Sequence, residues 1–197
     1  MAKLIYTAIT SLDGYTADAT GSFDWSTPDE EVHAHVNDGE RAIGTYLYGR
    51  RMYEVMGFWE VAPLGEALTN DPEPLLEDEP DEMRDYAAIW RAADKIVYSS
   101  SLDTADTERT RIERSFDPDA VRALKESSDQ DLSIGGPTLA ALAIRAGLVD
   151  EFAFYISPVI IGGGLAALPS DVQVDLTLLE SRTFGNGVVF ARYAVTS

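Results

Sequence analysis

Along this chain the apolar positions switch repeatedly between strand-like runs and a helical period, which predicts strands alternating with helices. KLIYTAIT, from Lys3 to Thr10, is rich in β-formers and apolar on both faces, so it predicts a first, central strand. Thr27-Pro28-Asp29-Glu30 predicts a helix start, with Thr27 as N-cap, Pro28 in the first position and Glu30 placed as in a capping box. That helix should run to about Gly39 or Arg41. Thr45 to Tyr48 is a buried-type strand that turns through Gly49-Arg50-Arg51-Met52 into a second helix. MRDYAAIWRAAD predicts a further helix leading into a strand over Lys95 to Tyr98, and Arg109 to Glu113 a short edge strand. DPDAVRALKESS predicts a helix with Asp117 as N-cap and Pro118 at its first position. DLSIGGPTLAALAIRAG then reads as strand, Gly-Gly and a helix opened by Pro137 and stopped at Gly147. Glu151 to Ile161 is the most strand-like run, with Pro158 marking a bulge, a break or an edge. Two alternating strands around Gly185-Asn186-Gly187 close the chain as an antiparallel hairpin. The pattern predicts an α/β fold with a mostly parallel central sheet flanked by helices.

The strand-to-helix turns carry the candidate chemistry. At Gly135-Gly136 no side chain holds a ligand away, and the helix start behind it offers free N–H groups and a positive dipole end; the same residues also suit a tight turn without a ligand. Gly49-Arg50-Arg51 repeats that geometry with guanidinium groups, which suit phosphate, or else pair with local acids. Ser99, Ser100 and Ser101 follow the next strand and either donate to a phosphate or cap a turn. Three successive strand ends with phosphate-friendly groups point to a dinucleotide laid along one edge of a parallel sheet. The stretch from Ser11 to Trp25 reads as an aromatic-bearing loop of the kind that forms lids. Within it, Asp13-Gly14 is a turn signal, and Asp13 also stands where α/β sites place polar chemistry. His33 and His35 are two apart on a helix, so they face different ways and do not chelate one metal. Gly162-x-Gly164-x-x-Ala167 is not a dinucleotide fingerprint, because Pro169 stops any helix after about one turn.

Composition narrows the picture. A length of 197 residues fits one domain, 1–197, with an acidic, proline-rich insertion at about 61–85. The formal net charge of -19 argues against nucleic acid or an anionic membrane as partner, and requires any anionic ligand to be held by a local cluster of donors. The absence of cysteine excludes disulfides, thiolate zinc sites and a cysteine nucleophile, and the acidic stretch lacks calcium-loop spacing, so no metal site is expected. No signal-peptide-like or membrane-length apolar run is present, so the expected location is the cytoplasm.

The ordered set SLDGYTAD with FDW, LYGRRMYE, YSSSL, IGGPTLA and DEFAFYISPVIIGGG resembles the dihydrofolate-reductase-like superfamily, in the branch of the C-terminal reductase domain of the bifunctional riboflavin-biosynthesis deaminase-reductase. The resemblance implies a three-layer dihydrofolate-reductase-like fold and NADPH as cofactor. It places cofactor phosphate at Gly49, Arg50 and Arg51, the 2′-phosphate at Ser99 and Ser100, and the pyrophosphate and nicotinamide side at Gly135 and Gly136, beside Pro137, Thr138 and Leu139. It also implies that the loop after the first strand covers nicotinamide and substrate, pointing to Thr7, Ala8, Asp13, Gly14, Phe23 and Trp25. In that family the Gly-Gly turn often holds a cis peptide. The implied activity is hydride transfer to a C=N or C=O bond of a small heterocyclic or sugar-derived molecule, with Asp13 as the first candidate for substrate contact or proton handling and Glu30 and His33 behind it. Phe23 and Trp25 are the expected substrate-side aromatics. Two departures matter: counting back from Gly49 puts His33 where a folate reductase carries its buried acid, and the zinc-bearing deaminase half has no counterpart here. The rival expectation is a catalytically silent nucleotide-binding dimeric module. A homodimer is expected because EFAFYISPVII is too apolar for an open edge and relatives pair through this region.

Overall fold

The computed structural model describes residues 1–61 and 80–196. Its strands are β1 (Leu4–Ser11), β2 (Tyr15–Ala17), β3 (Ile43–Gly49), β4 (Asp94–Tyr98), β5 (Thr110–Glu113), β6 (Asp131–Gly135), β7 (Glu151–Ser157), β8 (Leu165–Ala166), β9 (Leu176–Thr183) and β10 (Val189–Val195). Its helices are α1 (Glu30–Glu40), α2 (Arg50–Met56), α3 (Phe58–Val61), α4 (Asp81–Ala92), α5 (Pro118–Ser127) and α6 (Pro137–Arg145). Eight strands form one sheet in the order β5-β4-β3-β6-β1-β7-β10-β9, and β2 pairs with β8 outside it. From β5 to β7 every pairing is parallel; β10 and β9 add the antiparallel hairpin.

Strand alternation divides β1 between two cores. Leu4 and Tyr6 pack towards Val121 of α5 and Leu139, Ala140 and Ala143 of α6. Ile5 instead joins the opposite face, with Val32 of α1, Tyr53 of α2 and Tyr86 and Trp90 of α4. A strand buried on both faces belongs in the middle of a sheet, and β1 lies between β6 and β7.

The chain runs outward from β3 to β5 and then returns to place β6 between β3 and β1. Helix α2 follows β3 on one face and α6 follows β6 on the other. The order reverses between β3 and β6, and the carboxyl ends of those two strands border the crevice that such a switch point creates.

Some expectations change and others narrow. Helix α1 starts later than Thr27: Asp29 is its N-cap and accepts the Val32 N–H at 3.0 Å, while Thr27 turns back to the Asp24 carbonyl. A carboxylate at this position satisfies an orphan donor and also meets the positive end of the helix dipole, so it outcompetes the hydroxyl two residues earlier. Of the stretch expected as an insertion at about 61–85, Val61 ends α3 and Asp81–Asp85 begin α4; residues 62–79 lie outside the described residues. Of the three outcomes open at Pro158 the break is found: β7 sits between β1 and β10 and stops at Ser157, because Pro158 has no N–H to give a ladder. That removes the first ground for self-association through β7. The peptide bonds at the Gly-Gly turn are trans, like the others described.

Candidate functional site

Two of the helix starts at the switch point are left without side-chain caps. Asp29 caps α1 and Asp117 caps α5, but Gly49 at the start of α2 and Gly136 at the start of α6 provide none. Tyr48 lies opposite Gly135 in the β3–β6 register, so the two helix starts are neighbours on one crevice. Their unpaired N–H groups form a donor set suited to an anion. Gly49 has an ordinary φ of −76°, and a Cβ there meets nothing within 4 Å; the space above it is open to a ligand.

The arginine and the serines expected at separate turns meet. Arg50 donates from Nε to Glu54 at 2.7 Å and from Nη1 to Ser101 Oγ at 3.0 Å, which ties α2 to the end of β4. Ser99 is buried, and its Oγ accepts the N–H groups of Ser101 and Leu102, so it works first as a turn cap. Ser100 and Arg51 are exposed beside it, and Arg51 has no ion-pair partner among the described residues. Arg114, which the sequence reading missed, holds this turn from below by donating to the Ser99 and Leu102 carbonyls. No periodicity marks that residue.

The glycine pair has packing reasons of its own. A Cβ on Gly135 stands 2.8 Å from the Tyr48 ring, and Gly136 has a φ of 87° with Met52 3.3 Å from where its Cβ falls. Pro137 opens α6, Thr138 is exposed, and the Leu139 side chain is in the core, so only backbone is available from Leu139. Tyr6 lies opposite Ile134, which sets Thr7 and Ala8 beside the glycine turn, Thr7 facing the α1 side and Ala8 the α6 side.

Asp13 is engaged in a seam between two loops. Its carboxylate accepts the N–H groups of Ile161 at 3.2 Å and Gly162 at 2.8 Å, Leu12 donates to the Val159 carbonyl, and β2 pairs with β8 just beyond. The Ser11 hydroxyl, and then those backbone donors, hold the Asp13 carboxyl below its ordinary range. Gly164 fits here because a Cβ falls 2.1 Å from the Ala17 carbonyl. Phe23 is exposed, and Trp25 lies in a short 3-10 turn with its Nε1 buried and unpartnered.

Glu30 is exposed in the first turn of α1. His33 is half-buried between the edges of Trp59 and Tyr86; burial lowers its pKa, and Nδ1 has no partner. Asp13, Glu30 and His33 make no hydrogen bond or ion pair with one another. His35 faces the other way, sharing a 2.9 Å hydrogen bond with the Tyr155 hydroxyl and packing on Phe184 and Phe190.

The buried acid of this helix is Glu40, a residue the sequence reading did not single out. It is 6% exposed, and burial pushes its carboxyl up to about 7, against the opposing pull of the Tyr46 and Thr7 hydroxyls and the Arg192 charge. An acid in the last turn of a helix opposes the dipole, and that was the one signal available.

The uncharacterized protein YyaP of Bacillus subtilis is 28% identical over 190 residues, covering 95% of this chain and 92% of YyaP. A pyrimidine reductase-like protein from Corynebacterium diphtheriae superposes with a TM-score of 0.65 at 18% identity, covering 100% of this chain and 92% of that one. Dihydrofolate reductase from Enterococcus faecalis, complexed with NADP(H) and RAB-propyl, superposes with a TM-score of 0.59 at 14% identity, covering 99% and 97%. These likenesses show the dihydrofolate-reductase-like fold expected from the sequence. The family described as RibD C-terminal domain matches residues 2–190, nearly the whole length, and the chain belongs to that family.

Proposed function

We propose that the protein is an NADPH-dependent reductase acting on a C=N or C=O bond of a small heterocyclic or sugar-derived substrate. The observation that carries this reading is the pair of uncapped helix starts at adjacent strand ends, joined on one side by Arg50 and Ser101. In a chain of net charge -19, a cluster of free N–H donors with guanidinium groups is a local exception that suits a phosphate-bearing ligand. Gly49, Arg50, Arg51, Ser100 and Ser101 would hold phosphate, and the backbone of Gly136, Thr138 and Leu139 the pyrophosphate side. When bound, the dinucleotide supplies the hydride. Thr7 and Ala8 line the strand beside it. Asp13 acts by fixing the loop that covers the site; Phe23 and Trp25, carried on that loop, are the substrate-side aromatics. Membership of the RibD C-terminal domain family and the reductase names among structural neighbours support the same reading.

Titration with NADPH and NADH, followed by tryptophan emission, tests it. The expected result is NADPH binding weakened about ten- to hundredfold by Arg50→Ala, the loss of a charge-assisted contact worth ~1.5–3 kcal/mol. No binding of either nucleotide refutes the reading. Oxidation of NADPH with pterin, pyrimidine and quinone acceptors then separates a reductase from a silent nucleotide-binding module.

For self-association we propose the β9 edge in place of β7. All eight residues of β9 are exposed, and Leu176, Leu178 and Leu179 are 42%, 52% and 51% exposed. A long apolar edge strand is a template for a second strand.

A further inference from the structure

Every lysine and arginine of the chain lies among the described residues, and most of them are taken by an acid. Arg51, Arg91, Lys95 and Arg114 are the ones with no ion-pair partner among the described residues. Two of these have another engagement away from any ligand. Lys95 is in the core, with its Nζ 4.3 Å over the Trp90 ring and bonded to the Trp90 carbonyl. Arg91 donates back to the Ala87 carbonyl within α4, before β4 begins.

The other two flank one turn. Gly49 lies opposite Tyr98 in the β3–β4 register, and Tyr98 opposite Glu113 in the β4–β5 register. Arg51 therefore comes just past one strand end and Arg114 just past another, with Ser99, Ser100 and Ser101 between them. Acids are at hand, yet Glu54 is bonded to Arg50 and Glu113 to Arg111. With 34 acidic residues against 15 basic ones, two guanidinium groups left over at one place form a positive charge that the chain itself does not match.

Arg114 also shapes the turn. Its Nη1 donates to the Ser99 carbonyl at 3.3 Å and the Leu102 carbonyl at 2.6 Å, while Ser99 Oγ accepts the N–H groups of Ser101 and Leu102. The two oxygens that would repel an anion are thus turned onto a cation, and Ser100 is left exposed at the apex. Arg114 is itself exposed, and one of its nitrogens makes both of these bonds, which leaves Nε and Nη2 as donors to spare. A phosphate monoester, with nearly two negative charges near neutral pH and three acceptor oxygens, matches paired arginines beside hydroxyls better than a singly charged diester does.

We propose that Arg114 is the residue that makes this turn select a phosphate monoester. On the nucleotide reading above, which this role presupposes, that group is the 2′-phosphate of NADPH, replaced in NADH by a hydroxyl. Arg114 acts by its charge and by holding two carbonyls away from the phosphate.

The test is calorimetric titration of the intact protein and of Arg114→Met with NADPH and with NADH. The parent protein is expected to prefer NADPH, and R114M to lose about tenfold or more for NADPH with NADH unchanged, the loss of a charge-assisted contact. Equal losses for both nucleotides would make Arg114 a structural support only and overturn the proposal, as would NADPH binding that R114M leaves intact. A second measurement needs no variant: phenylglyoxal labelling of the parent protein, read by mass spectrometry, should be slowed at Arg114 by NADPH and not by NADH. Equal slowing, or none in a protein that binds NADPH, overturns the assignment while the nucleotide reading stands. Binding of neither nucleotide removes both together.

Discussion

The buried Glu40 makes stability depend on pH in a way that can be worked from its surroundings. Its carboxyl titrates near 4.5 in an unfolded chain and at about 7 in the folded protein, with burial as the main cause. Below about pH 4.5 both states hold the proton and the residue costs nothing. Above that, the unfolded state ionises first and gains; the folded state keeps its proton until pH passes about 7. Stability is therefore lost as pH rises through this window, the reverse of a salt-bridged carboxylate. At about 1.4 kcal/mol per pH unit, the difference between pH 5 and pH 8 is about 2.5 kcal/mol. Glu40→Gln removes the titration and keeps the shape. Urea unfolding of both proteins at pH 5, 6, 7 and 8 should show E40Q gaining on the parent protein by about that amount across the range. Repulsion among the other acids cancels in the subtraction. Parallel stability curves would refute the reasoning, because they would mean that Glu40 ionises alike in both states.

Gly135→Ala should lose about 1–3 kcal/mol in urea unfolding. Its Cβ would press on a Tyr48 ring that is stacked on Tyr46 and bonded to Trp90, and an unchanged midpoint would show that the ring can move. Asp13→Asn should speed amide exchange at Ile161 and Gly162 while β1 stays protected, since the two N–H groups bind different carboxylate oxygens and the amide replaces one of these with a donor. Unchanged exchange there would mean that β2 and β8 hold the seam alone. Light scattering at micromolar concentration should find a dimer that Leu178→Lys converts to a monomer; a parent protein already monomeric removes the β9 proposal.

What could be read from sequence was what local chemistry dictates. The doubly apolar KLIYTAIT, the Asp117-Pro118 helix start and the Asn-Gly hairpin declare themselves within a few residues, and each appears as expected. Thr27 and Asp29 were rivals for one cap, and the backbone direction that decides between them is set by the loop before it. Position in the sheet was less legible: β7 is as apolar as an edge is not, yet its neighbour β10 comes from the far end of the chain. The glycine and arginine turns were legible as candidates, but their adjacency comes from the β3–β6 register. Glu40 was nearly invisible, since a glutamate near the end of a helix looks like surface until Ile5, Tyr46 and Thr7 are known to lie beneath it.

Strand β1 also has a history in time. It is made long before its partners: Leu4 pairs with Leu132 and Ile5 with Glu151. The centre of the sheet therefore stays open until most of the chain has been made, with an eight-residue apolar strand waiting for both neighbours. Contacts so distant in sequence slow folding and prolong the exposure of sticky backbone. For a nascent chain of this design, the dangerous interval is synthesis itself, and a carrier for β1 would matter more than added stability in the finished fold.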